Sequence, residues 1–258
     1  MNAIEMIVSL HSAKSQRLCN TSNKKNKSKP ISKDVLIASL SVALNNKEHR
    51  VGYDAIKAKY LDDLQAAIRI ANELLASSSS LAEPLKCIAI SEALSLFCEV
   101  VPPSHKSHVM SLYRAYGALS NHYKYQRKLL TKRLKKAESM EDVDTITLLT
   151  KQLQTLKSNT EASISKRVEK TNKCPRCSGV GRISAGLYQC PSCAGNGRIG
   201  YEQKILRRYI KNQGITVSSS ELSHVALFID ESVRDLDFKV FLAAKAIKEQ
   251  KIKERECD

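Results

Sequence analysis

A chain of 258 residues with 42% hydrophobic side chains is long enough to bury one large core or two small ones, which excludes a wholly disordered polypeptide. No stretch reaches the roughly 18 to 20 consecutive apolar residues needed to cross a bilayer, and the start MNAIEMIVSLHSAKSQ lacks positive charge ahead of a cleavable apolar core. A cytoplasmic protein without a membrane partner is expected, and in that compartment reduced, clustered cysteines read as metal ligands rather than disulfides.

The 42 Lys and Arg against 26 Asp and Glu give +16, but the excess is uneven. Residues 21–60 carry nine basic and three acidic side chains, 104–173 carry fifteen and six, and 174–215 carry seven and one. Residues 61–103 and 216–258 are mildly acidic. Basic blocks set off in this way predict surfaces that face a polyanion.

Residues 1–33 are expected to form a flexible basic arm, since 20–33 (NTSNKKNKSKPISK) is almost devoid of apolar side chains. A helical core is expected over 34–117. Its first helix starts near Ser32, with Val35, Leu36, Leu40 and Leu44 at helical spacing. A second, about 52–76, puts Leu61, Leu64, Ile68, Ala71 and Leu75 on one stripe, and a third runs from Pro84 to Glu99 before Pro102-Pro103. Cys87 and Cys98 read as core residues of that third helix, and Cys19 and Cys257 as incidental. Between Gly117 and Pro175 there is neither Gly nor Pro, so 118–173 is expected to be a helical hairpin, with a single long helix or a coiled coil as alternatives. Leu130, Leu134 and Ala137 form one stripe and Ile146, Leu149, Leu153 and Leu156 another, with SMED (139–142) resembling a capping start between them.

The most specific pattern follows. CPRCSGVGRI at 174–183 and CPSCAGNGRI at 190–199 repeat with a period of 16, and each half reads C-P-x-C-x-G-x-G-R-I. Two C-x-x-C turns can converge on one Zn²⁺, so Cys174, Cys177, Cys190 and Cys193 are assigned as one structural zinc site within a module spanning 174–200. Glycines suit a chain that doubles back around an ion with positive φ angles. A redox C-x-x-C pair is the alternative, and it explains neither the duplication nor the glycines.

Residues 201–258 read as a helix-turn-helix followed by a C-terminal helix. YEQKILRRYIKN (201–212) is basic and amphipathic, Gly214 breaks it, and a Ser N-cap with Glu221 three residues on opens a helix over 218–233. In that arrangement Arg207, Arg208 and Lys211 hold DNA phosphates, and Ser219, Ser220, Ser223 and His224 face the groove. A last helix over 236–256 is apolar at Phe238, Phe241, Leu242 and Ala246. The fold class expected is therefore mainly α: a helical body with an inserted hairpin, a small four-cysteine zinc module and a helix-turn-helix.

The order of HSAKS (11–15), ISKDVLIASL (31–40), an apolar helical core, the paired C-P-x-C turns and a following helix-turn-helix resembles the late-gene antitermination protein Q family of lambdoid bacteriophages. Compact members reach the zinc turns sooner, so 118–173 is the departure from the family pattern. The resemblance implies a phage transcription factor in the bacterial host cytoplasm. Its partners would be double-stranded DNA at a late promoter and the host RNA polymerase holoenzyme and elongation complex, which becomes resistant to pausing and termination. A zinc-containing DNA-binding repressor is the alternative. The cysteine-rich module of J-domain chaperones also repeats C-x-x-C-x-G-x-G, but has more repeats and accompanies a His-Pro-Asp triplet that this chain lacks. An enzyme is not expected, because no nucleophile, base and acid stand together and the six His are scattered.

Overall fold

A computed structural model describes residues 17–18, 31–32, 45–77, 79–184 and 186–256. The protein is mainly helical, and the chain divides into two compact units, Met1–Cys98 with Ser218–Asp258 and Glu99–Val217.

In the first unit, β1 (Arg17–Leu18) pairs antiparallel with β2 (Ile31–Ser32). The helix expected to start near Ser32 falls, over 33–44, outside the described residues, as does most of the expected arm. Helix α1 (Lys47–Leu61) starts under the Asn46 side chain, which accepts from the Glu48 N–H at 2.8 Å, and is followed by α2 (Leu64–Ala76). The single helix expected over 52–76 is thus two. Asp62 takes a left-handed φ of 53°, and the Asp63 carboxylate accepts from the Ala66 N–H at 3.0 Å, so the Asp-Asp pair ends one helix and caps the next. Lys57 binds the same Asp63 carboxylate at 2.8 Å; this hydrogen bond and the Ala66 N–H hold its pKa at about 2.

Helix α3 (Glu83–Phe97) carries Pro84 in its first turn, where a missing N–H costs nothing. Cys87 is exposed rather than in the core expected for it, because Leu85, Ala89, Ile90, Ala93 and Phe97 define the buried face. Cys98 is half-buried, and burial pushes its thiol up to about 11.

What covers these helices comes from the far end of the chain. The two helices expected over 218–233 and 236–256 are one, here called α8 (Ser219–Glu256), and it packs on α1 and α3. No glycine, proline or cap interrupts 219–256, so nothing ends the helix at 233. Leu236 joins Ala55, Ala58, Ala66, Ile70, Leu74, Ile90 and Phe97 in one apolar cluster. At Gly52 the crossing is so close that a Cβ would lie 2.0 Å from the Lys239 carbonyl oxygen. Phe238 and Phe241, expected on the packed side, are exposed; Leu236, Ala243 and Ile247 point inward instead. The expected 34–117 core is corrected accordingly: 99–117 belongs to the other unit, and α8 supplies the apolar surface in its place.

The second unit opens with a 3₁₀ turn (Pro103–His105) running into α4 (Lys106–Tyr116). Helices α5 (Ala118–Ser139) and α6 (Val143–Lys170) then form the expected hairpin, with Asp142 capping α6 by accepting from the Thr145 N–H at 3.0 Å. Arg114 of α4 is bidentate with Glu161 of α6 at 2.9 and 2.8 Å. Two short strands, β3 (Arg182–Ile183) and β4 (Tyr188–Gln189), lie between the cysteine pairs, and α7 (Gln203–Asn212) follows them.

Candidate metal centre

The 16-residue sequence repeat is a structural repeat. Cys174 donates its N–H to the Gly197 carbonyl at 2.9 Å and Cys190 donates to the Gly181 carbonyl at 2.8 Å, the same bond made twice with the halves exchanged. Within each turn Val180 donates to the Cys177 carbonyl and Asn196 to that of Cys193. The Arg182–Gln189 strand pair has its counterpart in the bridge between Arg198 and Lys173. The two halves are therefore related by a local two-fold.

Gly181 and Gly197 sit where these halves cross. Their φ angles are +81° and +73°, and a Cβ on Gly181 would lie 2.0 Å from the Gly195 oxygen, one on Gly197 2.2 Å from that of Gly179. Both conformation and space exclude a side chain at these positions. Ser178 and Ala194 also take left-handed φ, at 54° and 46°, so each half carries the same strained backbone one residue past its second cysteine.

The four sulfurs meet in the middle. Cys174 and Cys190 are 3.8 Å apart, Cys177 and Cys193 3.7 Å, and all four ligand atoms lie within 4.8 Å of one another. A disulfide would bring two sulfurs to about 2.05 Å. A tetrahedron of metal–sulfur bonds about 2.3 Å long has edges of about 3.8 Å. The spacing thus fits one ion held by four thiolates, and all four cysteines are buried.

Electrostatics point the same way. Burial pushes the Cys174 thiol up to about 12, and burial also raises Cys193. At Cys177 burial works upward too, but the N–H groups of Gly181 and Gly179 together with the Cys193 and Cys174 thiols lower the pKa; the Gly181 N–H lies 3.2 Å from the sulfur. A bound cation would supply the charge that lets all four ionise in a buried site. With every position of the tetrahedron taken by protein, none is open for a catalytic water.

This centre is built into the core of its unit rather than standing as a separate 174–200 module. The cysteines cluster with Val101, Val109, Tyr113, Ile164, Val168 and Ile199, so α4 and α6 pack directly on the metal turns. Asn172 donates its N–H to the Glu99 carbonyl and accepts from the Ile199 N–H at 2.8 Å, while Arg198 forms an ion pair with Glu99. Arg176 lies over the Tyr116 ring at 4.7 Å, tying the first turn to α4. His105 is fully buried. Its Nε2 accepts the Glu202 N–H at 2.8 Å, which places the proton on Nδ1 toward Ser104 Oγ at 2.7 Å. Burial, and then His108, lower its pKa to about 4. No periodicity in the sequence singles His105 out; its role depends on the chain returning at residue 202.

The expected DNA contacts separate. Arg207, Arg208 and Lys211 are exposed on α7, whose Leu206 and Ile210 are buried in the second unit. Ser219, Ser220, Ser223 and His224 are exposed on the first turns of α8, in the first unit. The capping box stands as expected: Ser218 Oγ accepts from the Glu221 N–H at 3.1 Å, and Glu221 accepts from the Ser218 N–H at 2.8 Å. Helix, turn and capped helix follow one another in the chain, with Gly214 at φ +79° in the turn, but the boundary between the units falls at Val217 and Ser218. The two sets of side chains thus belong to different units.

Among the described residues no helix is long and apolar enough to cross a membrane. No curated protein and no solved structure matches this chain. Residues 1–256 match the family model described as Conserved hypothetical protein CHP02642, and the four-cysteine protein described above belongs to that family.

Proposed function

We propose that this protein is a phage late-gene transcription antitermination factor, held together by one structural Zn²⁺. In this reading it binds double-stranded DNA at a late promoter and loads onto paused host RNA polymerase. The observation that carries it is the paired four-thiolate centre followed directly by α7, a basic amphipathic helix that buries Leu206 and Ile210 and exposes Arg207, Arg208 and Lys211. This is the order of features in the antitermination protein Q family. Four thiolates without an open position suit zinc in a structural role, whereas iron in the same cage would colour the protein.

Here the metal sets the path of the chain into α7, and α7 presents cations to phosphates. Binding through such contacts is steeply salt-dependent. The serines and His224 at the start of α8 add polar groups able to reach base edges.

The test is transcription in vitro by bacterial RNA polymerase on a template with the phage's own late promoter and a downstream terminator. Zinc-loaded protein should raise read-through, and Cys190→Ser should abolish the gain. A protein that lowers initiation and leaves termination unchanged is a repressor, and that result overturns the proposal. Elemental analysis should find one zinc per chain; iron or no metal removes the cofactor assignment.

A further inference from the structure

Helix α5 carries a charge pattern that the metal centre and α7 leave unused. Between Ala118 and Ser139 it has seven Lys and Arg and a single acid, Glu138. Tyr125, Lys128, Lys132 and Lys136 stand at i, i+3, i+7 and i+11, which places them on one stripe, with Lys135 along its edge. All five are exposed, and Tyr125 retains 64% of its surface. The side-chain ammonium groups of Lys128, Lys132, Lys135 and Lys136 make no ion pair or hydrogen bond among the described residues; the Lys136 carbonyl accepts from Ser139 Oγ at 2.7 Å. Lys124 differs, since it donates to the Ala115 carbonyl at 3.2 Å. Packing does not explain the lysines, because α5 meets α6 through its other side, where Ala137 and Leu149 are buried.

Such a face repels itself unless an anion covers it. Each four-residue step along the helix advances about 6 Å, a scale on which successive phosphates of an extended strand can follow the lysines. The lysines are point charges without the planar fork that reads a base edge, so they suit a backbone rather than a sequence. Tyr125 decides between strands: an open aromatic ring beside lysines is a stacking platform, and only an unpaired base offers it a face.

We propose that the solvent face of α5, Tyr125 with Lys128, Lys132, Lys135 and Lys136, is a binding surface for single-stranded nucleic acid, distinct from the α7 contacts to duplex DNA. It does not rest on the antitermination reading. Phosphates track the lysines and one base stacks on Tyr125. Four phosphate contacts give a salt slope of about −3, so affinity should fall about 50-fold between 50 and 200 mM salt.

The experiment uses the full, metal-loaded chain and fluorescence anisotropy with a labelled 12-nucleotide oligouridine, with an unlabelled 12-base-pair duplex as competitor. Replacing the four lysines by Gln should weaken oligouridine binding about 50-fold or more at low salt and flatten the salt dependence. Tyr125→Ala should weaken it about tenfold. Arg207→Gln, Arg208→Gln and Lys211→Gln together should leave it unchanged. Metal content and helical circular dichroism confirm that each variant is folded. Unchanged binding in the four-lysine variant overturns the proposal, as does loss of binding in the α7 variant alone. Equal competition by duplex with no effect of Tyr125→Ala also overturns it, in favour of a duplex surface.

Discussion

In the first unit Ala55, Ile70, Phe97 and Leu236 belong to an apolar cluster carried on helices, with Glu92 and Lys86 buried on the same α3, whereas the apolar cluster of the second unit includes four cysteines beside six other residues. The first unit rests largely on apolar burial, with Lys86 bonded to the Leu75 and Ser77 carbonyls, and the glycine at position 52 lets two of its helices cross closely. The second brings three elements, α4, α6 and the glycine-rich turns, around four cysteines spaced to hold one ion. The turns between Cys174 and Ile199 expose Val180, Leu187 and Tyr188, so they bury little apolar surface of their own. A chain can thus stabilise one part through area and another through a few strong bonds, and the two parts should answer differently to chemistry.

Metal removal should separate the two units most clearly. Chelation with a thiol reagent, or Cys190→Ser, should release the ion and leave amides of 172–200 unprotected in hydrogen exchange, while amides of α1, α3 and α8 keep their protection. Structural zinc contributes on the order of 10 kcal/mol to modules of this kind, more than any single side chain here. Equal loss of protection in both units would mean that they do not depend on the ion separately.

Gly52→Ala probes the other unit. Its new Cβ would meet the Lys239 carbonyl at 2.0 Å, so α1 and α8 must separate, at a cost of about 3 kcal/mol. Denaturant unfolding followed by probes in α1 should move to lower midpoint, with metal content unchanged. A midpoint equal to that of the parent protein would show that the crossing adjusts freely.

The smallest effect expected is a pH dependence confined to the second unit. His105 is held neutral, with a pKa of about 4 against an ordinary value of 6.5, so the unfolded chain binds more protons between those values. The stability it contributes is present in full above pH 6.5 and is lost as pH falls from 6.5 toward 4. From pH 7 to 5 the loss is about 2 kcal/mol. His105→Gln keeps an acceptor for the Glu202 N–H but cannot titrate; its unfolding midpoint for the second unit should fall less steeply over that range. Parallel profiles for the two proteins would remove His105 as the cause.

The sequence carried local features well where a residue's role is settled within a few positions. Ser218 and Glu221 cap their helix as their spacing suggests, SMED (139–142) does mark a helix start although Asp142 rather than Ser139 is its cap, and the hairpin between Gly117 and Asn172 follows from an unbroken run of helix formers. The break at Asp62-Asp63 was also written locally, as two capping residues in succession, but the apolar stripe running across it masked the signal. Cys87 and Phe238 went the other way. Each lies in an apolar stretch, and which neighbours face inward depends on the phase of the helix against a partner that periodicity does not name.

The four-cysteine cage was legible in the chain alone: a C-P-x-C turn duplicated at 16 residues encodes a two-fold arrangement in which candidate ligands and glycines are both local. The sequence also determined that the protein is helical and where its cations lie. Only the tertiary structure decided that α8 completes the N-terminal helices, that the metal turns share a core with α4 and α6, and that His105 meets Glu202. An amphipathic stripe states that a face is to be buried but not against what. Contacts between residues about a hundred or more positions apart are chosen by shape and by the closeness that a residue such as Gly52 permits.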